Sequence, residues 1–293
     1  MWKKIFERKP QKKHPYEGKP RSEEEREQQE FEERFANLSK DEQRVYKSAL
    51  ECRAFLEEHR ELWKGPKNLY RSKDEVVQAL ESHDKRWSRF ALSMLEGAHA
   101  QLTEYAGNPA SFAAIAERFA IDSFISTAST AHMTGRRYGE RSSYLIDPVS
   151  KDGIYFDAPF GYAVRYRRDD GEWETVSVLS FIPDFQKNIL YVDQVQGGNT
   201  ARGRSSEEAR KARYKFERPP LVTLETVVYG IVRELARRTC MQEIALRKGK
   251  HNRWFAVNEK AKNAATVYER IALLYGMQNT PEETYYRDQL AVH

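Results

Sequence analysis

A chain of 293 residues, 40% apolar and 32% charged, has material for one large or two ordinary domains. Its mean hydropathy is −0.81, and no apolar run approaches the roughly 18–20 residues of a spanning helix. The only cysteines, Cys52 and Cys240, exclude a disulfide framework and fit a reducing compartment.

The formal net charge is +5, and its distribution says more than its size. Lys3, Lys4, Arg8, Lys9, Lys12 and Lys13 form a basic head, followed by the acidic run Glu23, Glu24, Glu25, Glu27, Glu30, Glu32 and Glu33. Such blocks predict a solvated, flexible segment over residues 1–38, with a polyanion-binding arm as the alternative. The first residues lack the apolar stretch of about 7–15 that a secretory signal carries, so a cytoplasmic protein is expected.

Residues 39–135 read as a helical region. Ser22 with Glu25, Ser39 with Glu42 and Ser72 with Glu75 each have capping-box spacing. Behind Ser39, Val45, Leu50, Phe55, Leu56 and Leu62 keep roughly to one helical face, and Gly65–Pro66 ends the run. Behind Ser72, a second helix runs through Val76, Val77, Leu80, Trp87, Phe90, Leu92, Met94, Leu95 and Leu102. Asn108–Pro109 fits the start of a third. That helix is expected to pass through Phe112, Ile115, Phe119, Phe124 and Ile125 and to be buried, its aromatic stripe belonging to the core.

Residues 136–293 change character and read as an α/β domain. From Gly161 the chain alternates apolar and polar residues about Asp170–Gly171, a strong hairpin pattern. An antiparallel meander is predicted over 161–168, 173–182 and 188–196. A helix over 221–239, a strand in EIALRK and a helix carrying VYERIALLYGM follow. Strand, crossover and strand normally make a parallel pair, with a ligand crevice at the carboxyl ends.

The candidate site residues cluster there. Asp193 stands inside an otherwise apolar strand. A buried carboxylate is costly unless it is paired or lies at a cleft, so it is either an arginine partner or a general base. By alternation it should share a face with Tyr191 and Val195. Gln196, Gly197, Gly198 and Asn199 can bring backbone N–H groups close to an anion, and the following helix would add the positive end of its dipole. Between them lies a basic insert with Arg202, Arg204, Arg210, Lys211, Arg213 and Lys215, interleaved with Tyr214 and Phe216. Ser205 with Glu208 predicts a short helix inside it. The insert fits a surface helix, a lid over cofactor phosphates, or a nucleic-acid contact through Arg210, Lys211 and Arg213. A second basic group, Arg247, Lys248, Lys250, His251 and Arg253, is expected to converge with the insert on the same crevice. No HExxH, CxxC, P-loop or GxSxG pattern is present; His132 and Cys240 read as structural.

This order of elements resembles the Gcn5-related N-acetyltransferase (GNAT) superfamily. Gln194-Val195-Gln196-Gly197 is similar to its pyrophosphate loop, and Ala265, Val267, Tyr268 and Glu269 to its Ala-x-x-Tyr-Glu helix. The resemblance covers about residues 154–277. It implies a mixed sheet with flanking helices, an acetyl-CoA or other acyl-CoA cosubstrate, and N-acyl transfer. Tyr268 would then be the general acid for the departing thiolate, and Asp193 an acidic base on the strand. The backbone of Gln196 to Asn199, with Arg202 and Arg204, would hold the pyrophosphate. Three positions depart from the pattern. Asn199 replaces Gly or Ala, about two dozen residues separate the glycines from the helix, and glycine is delayed to Gly276. A strand ending in Gln-Gly, a basic stretch, Arg-Pro and a helix is also similar to the VirK family of bacterial virulence-associated proteins. The alternative to an enzyme is a non-catalytic binding protein of the same fold, its basic crevice taking a nucleotide, nucleic acid or protein.

Overall fold

The structure, a computed structural model, describes residues 29, 32–33, 35–58, 78, 81, 86–94, 118–126, 143–145, 158–197, 199–200, 203–204, 207–209, 211, 223–251 and 262–290. Residues 1–38 and 39–293 form two separate compact units; all that follows belongs to the second. The expected third helix start at Asn108–Pro109 lies outside the described residues.

The first long helix, α1 (Lys40–Glu58), begins where the sequence places it. Ser39 Oγ accepts the Glu42 N–H (3.3 Å), and Glu42 Oε2 accepts the Ser39 N–H (3.1 Å). This reciprocal cap satisfies two donors that an uncapped end would leave open. Val45, Tyr46, Ala49, Cys52 and Phe55 form its buried stripe. Residues 86–94 are also helical, and Trp87 stacks on both Phe55 of α1 and Phe160. Phe90 packs edge-on against Phe160, Phe181 and Phe185, so one aromatic cluster ties these helical segments to the sheet.

The buried helix expected across Phe119–Ile125 is a strand. β1 (Phe119–Ser126) pairs antiparallel with β3 (Phe160–Arg167) from Phe119↔Tyr166 to Ile125↔Phe160, and with the short β2 (Ser143–Leu145) on its other side. A short apolar run has no decisive period. Here the ladder to β3 decides, because it supplies partners for the backbone groups along that edge of a buried segment. Ser123, pointing inward, uses the Met94 carbonyl (3.3 Å), which also accepts from Tyr162 Oη (3.1 Å). The sheet therefore begins at residue 119 and not near 136.

The meander follows expectation within two residues: β3, β4 (Trp173–Asp184) and β5 (Ile189–Gly197). Gly171, with φ of 85°, makes the β3–β4 turn, a conformation unfavourable for a side chain. Asp184 Oδ1 accepts the N–H groups of Gln186 and Lys187 (2.9 and 3.2 Å) to shape the β4–β5 turn.

Two short strands, β6 (Asn199–Thr200) and β7 (Gly203–Arg204), form a separate antiparallel ribbon. Then come α2 (Leu224–Arg238), β8 (Glu243–Arg247), a 3-10 turn (Gly249–His251), α3 (Lys262–Leu274) and β9 (Tyr285–Gln289). β8 lies parallel to β5, and β9, which no sequence pattern marked, lies antiparallel to β8. The seven-stranded order is β2-β1-β3-β4-β5-β8-β9. This is a mixed α/β protein: one open mixed sheet flanked by helices.

Candidate functional site where β5 and β8 part

β5 and β8 share a ladder only from Ile189↔Glu243 to Val192↔Leu246. At that point the β4 register slips: Phe181 opposes Val192, but Ser180 opposes Gln194. Asp193 is the extra residue, a β-bulge. Beyond it β5 continues beside β4 to Gly197, while β8 ends at Arg247. The parallel pair thus opens at the one acidic residue of the strand. The bulge also corrects the expected sidedness. Val195 opposes Leu179, two residues from Phe181, so it shares a face with Val192 and not with Tyr191.

Asp193 is 1% exposed. Its Oδ1 accepts from Arg247 Nε (3.0 Å) and from Tyr285 Oη (2.8 Å). The guanidinium continues through Nη2 to Tyr285 Oη (2.8 Å) and through Nη1 to Glu42 Oε1 (3.2 Å) and the His251 carbonyl (3.5 Å). One buried cation therefore joins the bulge, the last strand, the turn after β8 and the first turn of α1. Burial disfavours the charged guanidinium, but Asp193 and Tyr285 outweigh it and hold Arg247 protonated. Burial and Asp193 keep the Tyr285 phenol far above its ordinary range against the pull of Arg247. Asp193 Oδ2 has no hydrogen-bond partner. Beside this network α1 is fastened again, Asp41 accepting from Tyr191 Oη (2.9 Å) and pairing with Arg287.

Burial pushes the Glu42 carboxyl up, but Arg247 and the Ser39 hydrogen bonds bring it below the usual carboxylate value of 4.5. A depressed folded-state pKa stabilises the protein above the unfolded value and loses that contribution as pH falls through the folded one. Glu42→Gln is therefore expected to lower stability by about 1–3 kcal/mol near pH 7. The gap from wild type should close below pH 4.5, read from urea midpoints across pH. A gap unchanged down to pH 3 would contradict the Arg247 pairing.

The same end of β5 is met by Tyr268 of α3, 0% exposed. Its Oη accepts the N–H of Val195 (2.8 Å), two residues past the bulge. Asp193 and Tyr268, chosen from separate sequence patterns, thus meet β5 within three residues of each other. The α3 end of this arrangement is further held by Tyr275 Oη, which donates to the Thr226 carbonyl of α2 (2.9 Å).

The other predicted residues are distributed differently. Gln196 and Gly197 end β5, opposite Val178 and Ser177. Asn199 and Arg204 face each other in the β6–β7 ribbon. Gly198, Arg202, Arg210 and Arg213 lie outside the described residues. Glycine at 197 therefore leads into a ribbon and not directly into a helix. The N-terminus of α2 is closed by its own cap, with Thr223 Oγ1 taking the Thr226 N–H (3.3 Å) and Thr226 Oγ1 the Thr223 N–H (2.8 Å). Glu225, in the first turn, is 1% exposed.

The insert's described residues 207–209 and 211 are helical, as its capping pattern predicts. Glu208 docks this helix on the β3–β4 hairpin. It accepts from Arg118 Nη2 (2.6 Å), Tyr166 Oη (2.9 Å) and the Asp169 N–H (3.3 Å). Lys211 is exposed and pairs with Glu207 (2.8 Å). From β3 to β8 there are three strand intervals, about 14 Å. Glu208 thus holds the described part of the insert helix at the β3–β4 hairpin, while Arg202, Arg210, Arg213 and Lys215, on which convergence with the basic turn after β8 depends, lie outside the described residues.

Arg247 was visible in the sequence as one of several basic residues, and Asp193 as a carboxylate needing a partner. That each is the other's partner, with Tyr285 and Glu42 completing the set, has no local pattern. Among the described residues no cluster of three or more His, Cys, Asp or Glu could hold a metal ion. Among them, too, no helix is long and apolar enough to cross a membrane. No family model matches the chain, and no curated protein or solved structure matches it either.

Proposed function

We propose that this protein has the GNAT-like arrangement its motifs resemble, and that it transfers an acyl group from acyl-CoA to an amine at the opening between β5 and β8. The observation that carries this reading is the meeting of Tyr268 with the freed Val195 N–H beside the Asp193 bulge. An amide donated to a phenol oxygen favours negative charge on that oxygen, the state it reaches after giving its proton to a leaving thiolate. The acyl-CoA supplies the activated thioester. Asp193, through its unpartnered Oδ2, would take the amine's proton by way of water. The backbone of Gln196 to Asn199, with Arg202 and Arg204, would face the pyrophosphate.

Acetyl-CoA at millimolar concentration is expected to raise the melting temperature saturably, as any ligand selective for the folded state must. No shift would sink the reading.

A second reading is favoured by two observations: the carboxylate at the opening is engaged by Arg247, and the first turn of α2 carries its own buried acidic residue, Glu225. Both suit a non-catalytic protein of this fold that binds a nucleotide, nucleic acid or protein. A nucleic-acid partner would show affinity falling steeply with salt, and Arg210/Lys211/Arg213→Ala would flatten the slope.

A further inference from the structure

Two buried oxygens beside the bulge share one deficit. Among the described residues, neither Asp193 Oδ2 nor Ser180 Oγ has a hydrogen-bond partner, although the two residues are only 1% and 0% exposed. A sealed polar oxygen in that state is costly, and native proteins rarely keep one. The β4–β5 register brings the pair together. Phe181 opposes Val192 and so shares its face; the adjoining residues, Ser180 and Asp193, therefore both turn to the opposite face. Ser180 opposes Gln194, the neighbour of Asp193, which sets the two α-carbons about 5–7 Å apart. Facing Ser180 from β3 is Gly161, which brings no side chain to crowd that face. The other carboxylate oxygen, Oδ1, is already taken by Arg247 and Tyr285.

We infer that Ser180 and Asp193 bind one internal water between them, and that Ser180 is thereby a positioning residue for proton transfer to Asp193. The site stands on the geometry; the positioning role rests on the acyltransferase reading. One water bonded to both can span oxygens about 4–5.5 Å apart. The Ser180 hydroxyl donates to the water and the water donates to Oδ2, so both buried oxygens gain a partner and the water has its minimum of two.

In the transfer, the amine nitrogen adds to the thioester carbon as the C=O π pair moves to oxygen. The adduct gives its N–H proton to this water as a proton of the water passes to Oδ2. The adduct then collapses, the C–S bond breaks, and the sulfur takes the Tyr268 proton. Solvent returns the Asp193 proton to the phenolate, and no further reagent is needed. Without the hydroxyl, the relay water loses the group that fixes it beside the carboxylate.

The test uses the full chain. Crystals should show a water within hydrogen-bond distance of both Ser180 Oγ and Asp193 Oδ2. Ser180→Ala should lower the urea midpoint, because Oδ2 loses its bridge, whereas deleting a hydroxyl that has no partner would raise it. A raised midpoint, or density with no water there, overturns the site and the role built on it. Thiol release from acetyl-CoA is then followed with lysine, spermidine and glucosamine as acceptors. Ser180→Ala should lower kcat about 10-fold, short of the 10²-fold or more that loss of a base costs, and leave KM for acetyl-CoA unchanged. Ser180→Thr, which keeps the hydroxyl, should regain kcat. Wild-type kcat in Ser180→Ala, or no turnover by wild type on any of the three amines, overturns the positioning role. No acetyl-CoA melting shift sinks the acyltransferase reading and that role with it, while the midpoint and the density decide the water site by themselves.

Discussion

Arg247→Met should cost about 3–5 kcal/mol of folding stability, the usual loss when one member of a buried ion pair is removed. Asp193 would keep a single donor, Tyr285 Oη, for a carboxylate 1% exposed, and Glu42 would lose its guanidinium. The methionine fills much of the same volume, so the loss is electrostatic and not a cavity. The double variant Arg247→Met/Asp193→Leu should recover part of the loss, since replacing both partners of a buried pair by apolar groups is often close to neutral. What remains should be about 1–3 kcal/mol for the Tyr285 hydroxyl left without an acceptor. Urea midpoints for the wild type and the two variants measure this directly. A single variant within about 1 kcal/mol of wild type would show that Arg247 does not hold these four elements together.

On the acyl transfer proposed above, Tyr268→Phe carries the largest expected effect on activity. Loss of a general acid lowers turnover about 10²–10⁴-fold. The acetyl-CoA melting shift should survive, because the phenol is asked to give a proton and not to hold the cosubstrate. Stability should also fall by about 1–3 kcal/mol, since the buried Val195 N–H loses its acceptor. The two effects are separable. A purely structural tyrosine would lose stability and keep its rate per folded molecule. Turnover equal to wild type would remove Tyr268 from the chemistry.

Local patterns proved readable in this sequence, and distant pairings did not. The Ser39/Glu42 cap, the Asp170–Gly171 turn, the three meander strands, α2, β8 and α3 each carry a period or a punctuating residue within a few positions. β1 was misjudged because FAIDSFIS is too short for its period to separate helix from strand, and its pairing with β3 lies some forty residues on. β9 escaped because Tyr-Tyr-Arg-Asp-Gln has no alternation; its register on β8 is set by neighbours such as Glu243 and Arg287. The site follows the same rule. Asp193 stood out as a misplaced charge and Tyr268 through a motif. The bulge that decides which way Val195 faces depends on β4, and nothing in β5 alone announces it.

The guanidinium of Arg247 binds groups that leave the ribosome far apart in time. It meets Glu42 across 205 positions, and its co-ligand Tyr285 lies 92 positions beyond Asp193. During synthesis the first turn of α1 must wait 205 positions for its counter-charge. The carboxylate at the bulge likewise waits for the final strand. A nascent chain stalled before residue 285 would hold an incomplete sheet with β8 as an open edge, so this edge stays open to other chains until β9 has been made.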